Sequence, residues 1–147
     1  MGKNCRYNGG HSRISELDEL DVDWVPVCPE EAGNLGTPRP AAEIQGSAES
    51  ILNGDISVLT NDGHDVTGKF IQGAENSLKI GINSKVEIAI LKSRSPSCGV
   101  VAIYDGTFTH SLIEGDGIFT HLCRQSGIIC VSSDDSNQIK KTLKKLK

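Results

Sequence analysis

The run "KVEIAILKS", Lys85 to Ser93, limits the possible folds more than any other stretch of this chain. It reads as a continuous apolar strand, the type found in parallel sheets buried on both faces. Parallel strands need crossover connections, and the flanking sequence supplies helices for them. Phe70, Ala74, Leu78 and Ile82 share one helical face, which predicts a helix over about residues 67–83. "GDGIFTHLCRQSG" reads as a helix closed by Gly127, "IICVSS" as a further strand, and "SNQIKKTLKKLK" as a last helix with Ser136 as N-cap. Upstream, "RISELDEL" (Arg13 to Leu20) has helical spacing with Ser12 as its cap, and Val22 to Val27 reads as a strand entering a Cys-Pro turn. "EEAGNLGTPRPAAEI" is a long ordered loop by its Gly and Pro content. "ILNGDISVLTNDGHDVTG" reads as a hairpin with turns at Asn53-Gly54 and Asp62-Gly63, and "GVVAIYDGTF" as a strand or an extended loop. Strand and helix alternate along the chain. That predicts one α/β domain over residues 1–147, three-layered and Rossmann-like, with a mainly parallel sheet.

Composition narrows the function. Aromatic residues make up only 4% of the chain, so the core rests on Ile, Leu, Val and Ala, and a base-stacking surface for single-stranded nucleic acid is not expected. No apolar run reaches the roughly 18 residues of a membrane span. The opening "MGKNCRYNGGHSR" is polar, with no secretory signal, and a cytoplasmic location is the default. Net charge is −4, and setting aside the five lysines of "KKTLKKLK" leaves −9 on the residues before Lys140. The basic end reads as a solvated helix whose lysines complement its own dipole.

Five cysteines, Cys5, Cys28, Cys98, Cys123 and Cys130, in a chain without a secretion signal argue against a disulfide framework. They then serve as core residues, nucleophiles or metal ligands. Cys28 and Cys98 each follow a predicted strand, so both fall at the same sheet edge, where open α/β sheets bind ligands. Each is bounded by proline, in "VCPE" and "SPSCG", which stiffens the loop. There is no C-x-x-C, no arginine six residues after a cysteine, no G-x-G-x-x-G and no P-loop. Isolated cysteines on loops fit an iron–sulfur cluster held from distant segments. Cys123 and Cys130 fall inside a helix and a strand and read as small core residues. His11, His64, His110 and His121 form no i, i+4 pair and do not read as ligands.

Several motifs together carry a resemblance: "CRYNGGH", "VPVCPE", "LGTPRPAAEI", "VTGKFIQGA", "ILKSRSPSCG" and "YDGTF", in this order over nearly the whole chain. The set resembles the domain-of-unknown-function family 523, to which thiouracil desulfidase belongs. The resemblance implies a cytoplasmic α/β enzyme with a [4Fe–4S] cluster on three cysteines, its fourth iron open to the sulfur of a thiolated pyrimidine. It further implies non-redox replacement of that sulfur by water, giving the oxo-pyrimidine and hydrogen sulfide. The partner is then a small thiolated base or nucleotide, with neither a membrane nor a nucleic acid required.

Cys28 and Cys98 match two of the family's ligands. Glu30 is a candidate to orient or deprotonate the water, and Ser95 to hydrogen-bond the base or a cluster sulfur. Lys92 and Arg94 are candidates to offset the cluster's negative charge, and Ser97 to contact the substrate together with Arg94. Arg39 and Glu43 are expected to pair and pin their loop. Family members carry Ser-Ala-Cys-Leu-Leu-Gly directly before the Cys-Arg-Tyr motif. Here Gly2 matches the last residue of that motif, so the first ligand and first strand are expected to be absent. Cys5 is then the nearest substitute ligand. The alternative is a non-enzymatic member with an incomplete cluster site.

Overall fold

The computed structural model describes residues 5–10 and 14–146. It is an α/β structure built around helices packed on short strand pairs. In chain order the elements are α1 (Pro29–Ala32), β1 (Ala42–Ile44), α2 (Ala48–Leu52), β2 (Val58–Thr60), α3 (Thr67–Asn83) and β3 (Ile88–Leu91). Then come β4 (Ala102–Tyr104), β5 (Leu112–Glu114), α4 (Ile118–Gln125), β6 (Ile129–Ser132) and α5 (Ser136–Leu146). The parallel pairing expected of the 85–93 run is found: β3 and β6 run parallel, with Ile88 opposite Ile129 and Leu91 opposite Ser132. The other two pairs, β1 with β2 and β4 with β5, are antiparallel. A parallel bridge from Arg94 to Ile103 carries the end of β3 toward β4.

The helix over 67–83 forms as its spacing predicts. Phe70 and Ala74 are fully buried, and Leu78 packs against the core. Burying Phe70 alone is worth about 2 kcal/mol. The fourth member of the stripe departs: Ile82 is 52% exposed, because α3 runs out past the core in its last turn. The end of α4 also agrees, with Gly127 at φ +79 closing it. The cap of α5 lies one residue earlier than expected. Asp135 Oδ1 accepts from Gln138 N–H at 2.9 Å, and Ser136 is the first helical residue.

Three expectations need correction. Residues 22–27 form no strand among the described residues: the chain bends at Val22, and none of the paired strands includes this stretch. The segment after Arg13 is a single 3₁₀ turn, Ser15–Glu19, closed by i→i+3 bonds such as Leu20 N–H to Leu17 O; its expected cap, Ser12, lies outside the described residues. The hairpin over 51–68 is half helix. Ile51 and Leu52 end α2, Gly54 follows at φ +80, and β2 pairs back with β1, inside the stretch read as a loop. The Asp62-Gly63 turn does form, and it returns the chain to a bridge between Leu59 and Asp65.

One close helix contact positions the site. A Cβ on Gly73 in α3 would collide with the Pro29 carbonyl oxygen and reach 2.8 Å from Gly33 N. Glycine lets α1 lie directly on α3, and Asn76 Nδ2 donates to Ala32 O at 3.1 Å across the same contact. The residue that opens α1 is Cys28.

Candidate metal centre

Cys28 takes the N-cap position of α1, with Pro29 as first helical residue. Proline at that position loses nothing, since the N–H it lacks has no helical partner there. Cys28 O accepts from Ala32 N–H at 2.9 Å. The thiol is half-buried and lies 4.0 Å from Cys5 O. Cys5, Cys28 and Glu31 bring two sulfurs and one carboxylate oxygen within 4.8 Å of one another.

Cys98 enters from the turn after β3. Ser95 Oγ accepts from the N–H groups of both Ser97 (3.1 Å) and Cys98 (3.0 Å), which shapes that turn. Burial pushes the Cys98 thiol well up, and the neighbouring Glu30, Cys28 and Cys5 push it the same way. Cys98 is therefore within electrostatic reach of the other two cysteines, while its sulfur falls outside the group gathered within 4.8 Å. Thus "CRYNGG" and "VCPE" supply two thiols to one place, and "SPSCG" brings a third into the same neighbourhood.

Arg39 ties this place together. Its Nε donates to Glu30 Oε1 at 3.1 Å and its Nη2 to Cys5 O at 2.7 Å. Nη1 donates to Gly36 O and Thr37 Oγ1, and the Arg39 backbone N–H to Tyr7 O at 2.6 Å. The Arg39 side chain is only 6% exposed and that of Glu30 19%. Burial raises the Glu30 carboxyl above its ordinary value, and the Arg39 charge pulls it back down.

The expected Arg39–Glu43 pair is therefore wrong. Glu43 is buried and turns the other way. Its Oε1 accepts from Gly106 N–H (3.0 Å) and Phe108 N–H (3.2 Å), pinning the "YDGTF" turn. Short of a partner cation, a buried carboxylate is satisfied by the backbone donors of a tight turn.

The other candidate residues lie on the segment that carries Cys98. Lys92 and Arg94 are exposed, and Arg94 takes φ +64. Burial of its stem, then the charge of Arg6, lowers the Lys92 ammonium. Ser95 still has its own proton to donate after accepting two. Ser97 is 1% exposed, and its Oγ has no hydrogen-bond partner among the described residues. Glu31 was not among the candidates; an acidic residue following Glu30 in a first helical turn gives no further signal in sequence. Glu30 and Arg39 also line an open cavity of about 160 Å³ together with Leu35, Ala42, Thr60, His64, Val66 and Phe70.

Cys123 and Cys130 lie in the core, as read from the sequence. A hydrogen bond with Cys130 and then burial push the Cys123 thiol far up, and Cys130 Sγ donates to Ile128 O at 3.6 Å. Neither thiol belongs to the group around Cys5 and Cys28. His64 pairs with Asp62 at the surface (3.1 Å), and no histidine joins the cysteine group among the described residues.

The donor set fits an iron–sulfur cluster. Two thiols lie together with a third in the same neighbourhood, and soft thiolates are the ligands such clusters use. Three thiolates would leave one iron of a four-iron cluster without a protein ligand.

The family model described as 2-thiouracil desulfurase matches residues 1–135. A Bacillus subtilis (strain 168) protein called uncharacterized protein YbbK is 38% identical over 141 residues, covering 94% of this chain and 93% of that one. Among solved structures, the [4Fe–4S]-dependent thiouracil desulfidase TudS superposes with a TM-score of 0.85 at 37% identity, over 97% of this chain and 91% of that one.

Proposed function

This chain belongs to the 2-thiouracil desulfurase family, and from that premise we propose that it replaces the sulfur of a thiolated pyrimidine by oxygen, releasing hydrogen sulfide. The cofactor is a [4Fe–4S] cluster on Cys5, Cys28 and Cys98. The observation that supports this reading is the Cys5–Cys28 pair of thiols, with Cys98 in electrostatic reach, near the buried Glu30–Arg39 pair.

When bound, the cluster supplies a Lewis-acidic iron that polarises the carbon–sulfur bond without electron transfer. The chain's own residues do the rest. Glu30 takes a proton from the attacking water. A carboxyl raised by burial is better matched to that task near neutral pH than an ordinary one. Arg39 fixes the direction of Glu30 through Nε and, through Nη2, the backbone of Cys5. Ser95 offers its O–H to the site while its lone pairs hold the Cys98 turn. The cavity along Glu30 and Arg39, with Leu35, Ala42, Val66 and Phe70 in its lining, offers apolar surface to a flat ring. Atoms balance: water adds at the carbon, the carbon–sulfur bond breaks, and the sulfur leaves as sulfide with both water protons.

The test is anaerobic reconstitution followed by assay of 2- and 4-thiouracil for sulfide release and uracil formation. Sulfide and uracil in equal amounts are expected. Iron-loaded protein that releases neither contradicts the proposal.

A further inference from the structure

Four consecutive backbone N–H groups at the start of α4 are all spent on the Cys98 turn. Gly117 N–H donates to Gly99 O at 2.8 Å and Ile118 N–H to Pro96 O at 2.9 Å. Phe119 and Thr120 N–H both donate to Ser97 O, at 2.9 and 3.2 Å. A helix leaves its first N–H groups without internal acceptors. Here the acceptors are the carbonyls on either side of the cysteine.

The contact leaves no room for a side chain. A Cβ on Gly117 would overlap the Ser97 carbonyl carbon and oxygen and reach 2.7 Å from Cys98 N. Gly117 has φ −66 and ψ 165, which any residue adopts. Close approach, not backbone freedom, requires glycine. The far end of the turn is tied to the same segment. Asp116 Oδ1 accepts from Val101 N–H at 2.8 Å, and Gly115 N–H donates to Val101 O at 2.8 Å. Val101 sits at φ +68, costly for a β-branched residue, and these two bonds hold it there. Asp116 is itself fixed by Arg124 Nε at 2.7 Å.

We propose that Gly117 and Asp116 are positioning residues for Cys98, making the start of α4 the rigid seat of that metal ligand. The proposal rests on the desulfidase reading above. A ligand held by a locked turn loses its metal more slowly than one on a loose turn.

The experiment uses the full chain, reconstituted anaerobically, and follows loss of the iron–sulfur visible absorption after adding an iron chelator. Gly117→Ala and Gly117→Ser should each lose iron about 10-fold faster or more, the usual size of an effect behind a metal ligand. Gly81→Ala is the control, since a Cβ there meets only Ile128 Cδ1 at 3.9 Å, and it should match wild type. Serine is a far better N-cap than alanine. Rescue by serine would assign the effect to capping and overturn the proposal. Gly117→Ala holding iron as long as wild type would also overturn it, leaving the desulfidase reading standing. Wild type that takes up no iron would overturn both. If Gly117→Ala does not fold by circular dichroism, Asp116→Ala decides: faster iron loss supports the proposal and wild-type retention overturns it.

Discussion

Replacing Arg39 by alanine removes hydrogen bonds to three separate places: Glu30, the Cys5 carbonyl, and the Gly36–Thr37 loop. Breaking a buried ion pair from one side costs about 3–5 kcal/mol when the other charge stays buried. Glu30 limits this by binding a proton, and burial already favours that. A loss of about 2–4 kcal/mol at neutral pH remains. For a chain of this size that is a fall of about 6–12 °C in Tm.

The loss depends on pH with a definite sign. Glu30 has a folded-state pKa above its unfolded one, so the native state binds the proton more tightly. The stability this adds is complete below the unfolded value and is lost as pH rises through the folded value. Without Arg39 the folded value rises further and the lossy window extends upward. The gap in Tm between wild type and Arg39→Ala should therefore narrow near pH 4.5, the ordinary carboxylate value, and widen at neutral pH. Calorimetry on cluster-free protein with reduced thiols measures it. Equal gaps at both pH values, or no gap, would refute the ion-pair argument.

Glu30→Gln should retain iron but lower turnover by roughly 10²–10⁴-fold in a sulfide-release assay. Glu43→Ala should cost about 1–3 kcal/mol by leaving two turn N–H groups without their acceptor, and should open the chain near Gly106 to limited proteolysis. Cys123→Ala and Cys130→Ala should load as much iron as wild type, since both thiols are core groups.

Long, periodic elements were legible in the sequence. α3 declared itself by Phe70, Ala74 and Leu78, and β3 and β6 by their apolar runs, the second directly after the helix α4. Short elements were not. β5 is three exposed residues, Leu112 to Glu114, and its pattern shows neither burial nor alternation. β1 hides in a loop rich in proline because its stability comes from pairing with β2, not from its own propensity. At the site, Cys28 and Cys98 stood out by their proline-bounded turns. The partner of Arg39 did not, because Glu30 and Glu43 are both within loop reach, and what decides is that backbone N–H groups of a distant turn occupy Glu43. The seat of Cys98 on α4 was also invisible: its acceptors are backbone carbonyls that no residue type announces.

Iron and acid-labile sulfide bound per chain, after anaerobic reconstitution of wild type and the five single Cys→Ser variants, tests the central claim most directly. The account predicts that wild type binds a four-iron cluster. It predicts loss of loading in Cys5→Ser, Cys28→Ser and Cys98→Ser, with Cys123→Ser and Cys130→Ser unchanged. Wild-type loading in Cys98→Ser would contradict it.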